Sequence, residues 1–301
     1  MNDKKLIVIA GPTAVGKTHL AIQIARDLDC EIISADSRQI YKEMNVGTAK
    51  PSIEDLEQVR HHFINFKSIH EYYSAGRFEV DVMNLLRHYN KKNIIMAGGS
   101  GLYIKAVCEG IDEMPDPDPG LRMTLQKRYE EKGLEDLTEE LRIKDMETWN
   151  SIDLHNPIRV IRALEVIHQT GRKFSGLKAG IKKKRNFSIL KIGLDLPRDT
   201  LYNRINTRVD HMIELGLMDE VRSLWPWRML NALDTVGYTE FFNHLRGDYD
   251  LQEAIRLCKR NTRRYAKRQI TWFRKEKDMH WFSPENHRAI CQLIEDFLPS
   301  R

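Results

Sequence analysis

The eight residues from Gly11 to Thr18 (Gly11, Pro12, Thr13, Ala14, Val15, Gly16, Lys17, Thr18) constrain this chain more than any other segment. They fit G-x-x-x-x-G-K-[ST], and their flanks give the pattern mechanical meaning. Leu6–Ala10 is a short apolar, β-branched run that reads as a buried strand. Leu20, Ile22, Ile24, Ala25 and Leu28 follow at positions compatible with a helix packed on a sheet. A strand, a glycine turn and a helix start together form an anion cradle. The glycines let the chain turn tightly, so that successive N–H groups face phosphate oxygens. Lys17 adds a point charge, Thr18 is placed to ligate Mg²⁺, and the helix dipole reinforces the attraction. A di- or triphosphate is the expected ligand.

Strand and helix patterns alternate through the first third. Glu31–Ala35 reads as a second strand ending at Asp36, a helical pattern spans about 77–90, and Asn93–Ala97 makes a third strand. That strand runs into a second glycine turn, Gly98-Gly-Ser-Gly-Leu-Tyr103. The alternation predicts an α/β fold, a parallel sheet with helices on both faces. Asp112–Pro119 then reads as a proline-acid linker hostile to helix and strand. From about 121 to 169 the chain is charged and helical, and Phe187–Leu194 reads as a strand returning to the sheet. The architecture expected is a catalytic core of 1–111 and 187–301 with an all-helical insertion at 112–186. Further helices are expected near 198–224, 238–245 and 251–274, with a last short strand at Trp281-Phe282.

Composition removes several function classes. The four cysteines (Cys30, Cys108, Cys258, Cys291) contain no C-x-x-C pair. That speaks against a zinc ribbon or a disulfide framework and fits a reducing cytosol. Five apolar residues before the first glycine are too few for a signal-peptide core, and no stretch approaches a membrane span. A cytoplasmic protein without membrane association, and a monomer, are expected. A net charge of +5 is modest, but its distribution is uneven. Residues 157–185 hold nine Lys/Arg against Glu165 alone, and residues 251–280 hold ten against three acids. Two basic segments flanking a phosphate site favour a polyanion such as RNA, contacted through its phosphates. In the second segment Ile255, Cys258, Thr262, Tyr265, Gln269 and Phe273 fall on the opposite, packed face.

A glycine-rich phosphate loop does not by itself separate kinase, GTPase, ATPase and transferase. GTPases are set aside because no N-K-x-D motif occurs. Asp36 lies at a strand's carboxyl end, where open α/β sheets place their crevice. It suits either a turn cap or a carboxylate facing the loop, as a magnesium-shell ligand or a general base. Ser100 is expected to project into the same crevice. Arg204 and Arg208 form an i, i+4 pair that could reach the loop and stabilise a departing phosphate group, or could pair with Asp210 or Glu214 on the surface.

Several further motifs align with one family. Besides the first loop they are Ser34-Ala-Asp-Ser-Arg-Gln-Ile-Tyr41, Gly47-Thr-Ala-Lys-Pro51, Gly98–Tyr103, Asn156-Pro-Ile-Arg-Val-Ile-Arg-Ala-Leu-Glu165, Val236-Gly-Tyr238 and Ala266-Lys-Arg-Gln-Ile-Thr-Trp-Phe-Arg274. With these the chain resembles the tRNA dimethylallyltransferases, the isopentenyl transferases of bacterial tRNA. The resemblance implies transfer of a dimethylallyl group from dimethylallyl diphosphate to the N6 amine of the adenosine immediately 3′ of the anticodon, with Mg²⁺. It implies that Gly11–Thr18 holds the prenyl diphosphate, that Asp36 is the general base, and that Lys17 and Arg208 stabilise the leaving group. Ser100, where the family usually has threonine, would contact the target nucleotide. Asp36, Ser37, Arg38, Gln39, Arg122, Arg159, Arg162, Lys267, Arg268 and Arg274 match tRNA-contacting positions, and the insertion resembles the family's clamp on the anticodon arm. Three other readings stay open: prenylation of a free adenine nucleotide, a small-molecule kinase, and an RNA-binding protein whose loop is a nucleotide switch.

Overall fold

The computed structural model describes residues 4–178, 180 and 182–298; Met1–Asp3 at the start of the chain lie outside that range. Six strands form one sheet in the order β3-β2-β4-β1-β5-β6, every neighbouring pair parallel. In chain order the first elements are β1 (Lys5–Ala10), α1 (Lys17–Asp27), β2 (Ile32–Ser34), α2 (Ile53–Gln58), β3 (His61–His62), α3 (Ala75–His88), β4 (Asn93–Gly98) and α4 (Gly101–Glu109). Four helices follow: α5 (Pro119–Lys144), α6 (Met146–Ser151), α7 (Pro157–Thr170) and α8 (Phe174–Leu177). The chain ends with β5 (Ser188–Leu194), α9 (Arg198–Glu214), α10 (Leu217–Leu224), α11 (Thr239–Arg246), α12 (Leu251–Phe273), β6 (Met279–Phe282) and α13 (His287–Phe297).

Leu6 to Ala10 and Ile94 to Met96 are buried, as strands covered on both faces require. Ala10 of β1 is in register with Gly98 of β4 and Gly193 of β5, and Ser34 of β2 pairs with Ala97. The carboxyl ends of these strands therefore finish level, and the turns that leave them gather at one edge. Gly98 is fixed by crowding: a Cβ there would lie 2.1 Å from the Ala35 carbonyl oxygen.

The chain divides into two compact units, Met1–Cys108 with Lys184–Arg301, and Glu109–Lys183. The first holds the sheet. Its surroundings differ from the periodicity-based reading in three places. The helix expected over 198–224 is two, broken where Gly216 takes φ +91°. The edge strand β3 has only His61 and His62, too short to show an alternating pattern. Helices α2 and α13 were absent from the reading; α13 buries only Ile290 and Ile294.

The second unit is all helical around Leu125, Leu137, Leu141, Val160, Ile161 and Leu164. Asp118-Pro119 and Asn156-Pro157 start α5 and α7, each polar side chain accepting from the backbone N–H three residues on. Thus the last residues of the supposed linker open a helix, because proline at the first helical position has no N–H to leave unsatisfied. Gly133, at φ +84°, breaks α5 internally.

Asp145 joins three of these helices. Fully buried, it accepts from the N–H and hydroxyl of Thr148 at 3.1 and 2.6 Å and from those of Ser175 at 2.8 and 2.8 Å. Burial raises the pKa of this carboxyl, but the four donors outweigh it and hold it below the ordinary 3.8. Asp145→Ala, which strands those donors, is expected to cost about 3 kcal/mol in urea unfolding, and Asp145→Asn less. A depressed folded-state pKa contributes stability that is fully present above 3.8 and lost as pH falls through the folded value, so acid unfolding of the Asn variant should be less steep.

Candidate active site

The Gly11–Thr18 loop leaves β1 at the level edge of the sheet and enters α1 through Gly16, whose φ of +109° only glycine adopts readily. Lys17 Nζ donates to the carbonyls of Gly11 (3.0 Å) and Pro12 (2.7 Å). Although its stem reaches solvent, its ammonium is enclosed. That burial, with the nearby charge of Arg208, pushes the Lys17 pKa down to about 7, against a smaller opposing pull from Asp36. Arg208 is itself buried, which lowers its pKa, while Asp36 raises it. Its guanidinium donates to Thr13 Oγ1 (3.1 Å) and the Ala49 carbonyl (3.3 Å). Arg204 reaches the same loop from the preceding turn of α9, donating to the Val15 carbonyl at 3.3 Å. Neither arginine pairs with Asp210 or Glu214, which pair instead with Lys259 and His211, although the exposed Arg204 also lies 3.9 Å from Glu285.

Two adjoining cavities open here, with Thr13, Asp36, Thr48, Arg208 and Tyr265 lining both. One is polar and includes Lys17, Thr18, Ser34 and Gln39. The other is more apolar, walled by Ile205, Val209, Met212, Val236 and Cys258. Asp36 caps a turn and also faces the crevice. Its Oδ1 accepts from the backbone N–H of Arg38 (2.9 Å) and Gln39 (3.3 Å), a turn cap. The second oxygen has no hydrogen-bond partner among the described residues, at a carboxylate that lines both cavities.

Other expected site residues have internal partners. Ser100 lines neither cavity; its hydroxyl accepts from the Ser37 N–H at 2.9 Å and donates to the Ser37 hydroxyl at 3.2 Å, so it holds the Asp36 turn in place. Arg38 donates to the carbonyls of Asn231, Ala232 and Asp234, and the amide of Gln39 to those of Thr48 and Ala49. At the end of α12, Arg274 pairs with Asp195 and stacks on Trp281 at 4.2 Å, and Arg268, which lies over Tyr265, is exposed like Lys267. In the helical unit, Arg122 and Arg162 both bond to Oε2 of the buried Glu165, and only Arg159 is exposed. Glu165 Oε1 is buried without a partner.

Gln269 is the residue that the sequence under-read. Periodicity places it on the packed face of α12, and it is buried there, but as a bridge. Its Oε1 accepts from the Thr13 N–H (2.9 Å), and its Nε2 donates to the Gly99 carbonyl (3.0 Å). It ties the phosphate loop to the second glycine turn. A polar residue at a buried helical position was the available signal, with nothing to name its partners.

In the loop the hydroxyls of Thr13 and Thr18 are hard oxygens suited to a metal, and that of Thr13 already accepts from Arg208. The described residues contain no cluster of three His, Cys, Asp or Glu side chains. Such a site suits Mg²⁺, which accepts few protein ligands when a bound diphosphate and water complete its shell. The depressed Lys17 pKa makes anion binding proton-linked. A diphosphate ester favours the charged ammonium, so affinity should be level below about pH 7 and weaken by up to tenfold per pH unit above it. Calorimetry in buffers of different ionisation enthalpy should show proton uptake near pH 8, absent in Lys17→Met.

Comparison with known proteins agrees with this geometry. The family model for IPP transferase matches residues 39–276. The chain is 48% identical over 295 residues to a tRNA dimethylallyltransferase of Cytophaga hutchinsonii, covering 97% of each protein. It is 49% identical to that of Christiangramia forsetii, covering 96% of this chain and 97% of the relative. Among solved structures it is similar to the tRNA isopentenylpyrophosphate transferase of Bacillus halodurans (TM-score 0.70, 36% identity, 98% of both chains). A eukaryotic dimethylallyltransferase acting on tRNA superposes with TM-score 0.79 at 27% identity, over 99% of this chain and 81% of that one. With the same α/β core and near full-length identity to these enzymes, the chain belongs to the IPP transferase family of tRNA dimethylallyltransferases.

Proposed function

We propose that the protein transfers a dimethylallyl group from dimethylallyl diphosphate to N6 of the adenosine immediately 3′ of the anticodon in tRNA. The observation that carries the reading is the pair of adjoining cavities with Asp36 and Arg208 in their common wall. One cavity has the cations for a diphosphate, and the other has apolar walls for the uncharged parts of the substrates.

An adenine amine is a weak nucleophile because its lone pair is delocalised into the ring, so the allylic carbon must be made electrophilic. As the bond from N6 to the allylic C1 forms, the C1–O bond breaks and its electron pair leaves with pyrophosphate. Lys17, Arg208 and the loop N–H groups take up that developing charge. Asp36 takes the proton released from N6; with Oδ1 fixed by two backbone N–H groups, its free oxygen is held ready. Thr18 would hold Mg²⁺ together with the diphosphate, adding positive charge at the leaving group. The adenine must leave its stack to enter, at a cost of a few kcal/mol that contacts elsewhere on the tRNA offset. Among the expected tRNA-contacting positions Arg159, Lys267 and Arg268 are exposed and have no acidic partner among the described residues, which suits them to phosphates, while Arg38, Arg122, Arg162 and Arg274 are bonded within the protein. One chain supplies every residue invoked, which supports a monomer. Among the described residues no helix is long and apolar enough to cross a membrane, and a tRNA substrate fits the cytoplasm.

The direct test is incubation of the protein, Mg²⁺ and unmodified tRNA with radiolabelled dimethylallyl diphosphate, beside a tube containing AMP instead. Label in tRNA alone is expected; label only in AMP would replace the proposal with free-nucleotide prenylation. Asp36→Ala should lower turnover by about 10²–10⁴-fold with tRNA binding nearly intact, and unchanged turnover would remove it from the mechanism. Arg159→Glu should weaken tRNA binding and reduce the slope of log affinity against log salt by about one or more. An unaltered slope would leave Arg159 without a phosphate contact.

A further inference from the structure

The segment Asn45–Ala49 supplies part of the Arg208 environment, yet its central turn, Val46–Thr48, buries no side chain of its own. A polar clamp holds it. One carboxylate, Glu220 on α10, accepts from three successive backbone N–H groups: Asn45 (2.9 Å), Val46 (2.8 Å) and Gly47 (2.9 Å). The same carboxylate accepts from the hydroxyl of the fully buried Tyr238 at 2.6 Å. The Tyr238 ring lies so close beneath the loop that a Cβ on Gly47 would come within 2.5 Å of it. Beyond the clamp the chain enters the left-handed region at Ala49 (φ +45°), whose carbonyl accepts from Arg208. The amide of Gln39 donates to the same carbonyl at 3.2 Å, so the clamp and Gln39 together hold Ala49 in that conformation.

We infer that Glu220 is a positioning residue for the reaction: through the Asn45–Ala49 loop it fixes the carbonyl that aims the Arg208 guanidinium at the leaving group. Glu220 touches no reacting atom and lines neither cavity. Its four donors come from two elements distant in sequence, so it registers the 45–49 loop against α10 and the Tyr238 turn. Four donors leave the carboxylate no role as an acid or base. Its single charge balances the partial positive charge of the converging N–H groups.

The inference rests on the reading of Arg208 as the leaving-group cation, and a double-mutant cycle separates the two. Glu220→Gln leaves one acceptor oxygen and turns an amide N–H against one of the four donors. It is expected to lower kcat about tenfold in the prenyl transfer assay, with the KM for tRNA within about twofold. In an Arg208→Lys background, where the bidentate guanidinium is gone, Glu220→Gln should cost less than about twofold more. General structural damage would subtract the same factor from both backgrounds, and that result, or an unchanged kcat in Glu220→Gln, would overturn the inference. Full activity in Arg208→Lys alone would overturn instead the role given to Arg208. If Glu220→Gln fails to fold, Tyr238→Phe removes only the hydroxyl and keeps the ring under Gly47. A smaller fall in kcat, again lost in the Arg208→Lys background, is then expected, and a folded Tyr238→Phe protein with normal kcat would overturn the positioning role.

Discussion

Two half-buried cations, Lys17 and Arg208, stand beside a single carboxylate, Asp36, and this imbalance of charge governs the structure around the site. Burying a cation without a full counter-charge is unfavourable, and the protein tolerates it only by supplying carbonyl acceptors from its own backbone. Gly11 and Pro12 supply them to Lys17, and Ala49 to Arg208. On the proposed reading a diphosphate would supply the missing negative charge, and its binding would relieve this electrostatic strain. The same arrangement is strongest toward the pyrophosphate that leaves, which carries more charge than the bound ester.

The carbonyls and glycine turns are held by side chains from elements far along the chain. Gln269 of α12 bridges Thr13 to Gly99, Glu220 of α10 fastens the 45–49 loop, and Arg204 of α9 braces Val15. The sheet contributes the level edge from which Gly11, Asp36 and Gly99 depart, and the helices after β5 set the exact aim of each group. This division explains why several conspicuous polar residues of the motifs are already bonded within the protein, Arg38 and Gln39 even though each lines a cavity. Arg38, Gln39 and Ser100 are spent on backbone groups of neighbouring turns. Such second partners hold reacting groups in place at little entropic cost during reaction.

The helical unit is organised by different means. Two cap-proline pairs start its principal helices, Asp145 joins three of them, and Glu165 gathers Arg122 and Arg162. Arg162 is therefore paired within the unit, whereas Arg159, Arg172, Lys173 and Lys178 are exposed. Along α12 and just beyond it, Arg256, Lys259 and Arg274 each have an acidic partner, whereas Arg264, Lys267 and Arg268 are exposed with none among the described residues. A count of basic residues overstates what an RNA phosphate can meet.

The sequence by itself determined the α/β core, the phosphate loop and the helical character of the insertion. Those follow from local rules: unbroken apolar runs bury as parallel strands, two glycines and a lysine before a helix bind phosphate, and 3.6-residue periodicity marks helices. It also brought out Asp36 and Arg208 through their places relative to strand ends. It did not show the break at Gly216, the two-residue strand β3 or the capping function of Asp118-Pro119, which depend on single backbone conformations. Nor did it show that Ser100 braces a turn, that Gln269 spans two loops, or that Glu220 collects three N–H groups from a segment 173 to 175 residues away. Only the tertiary structure decided these, because hydrogen bonds between sequence-distant groups leave no periodic signature, and the partner of a buried polar side chain is fixed by which elements the fold packs beside it.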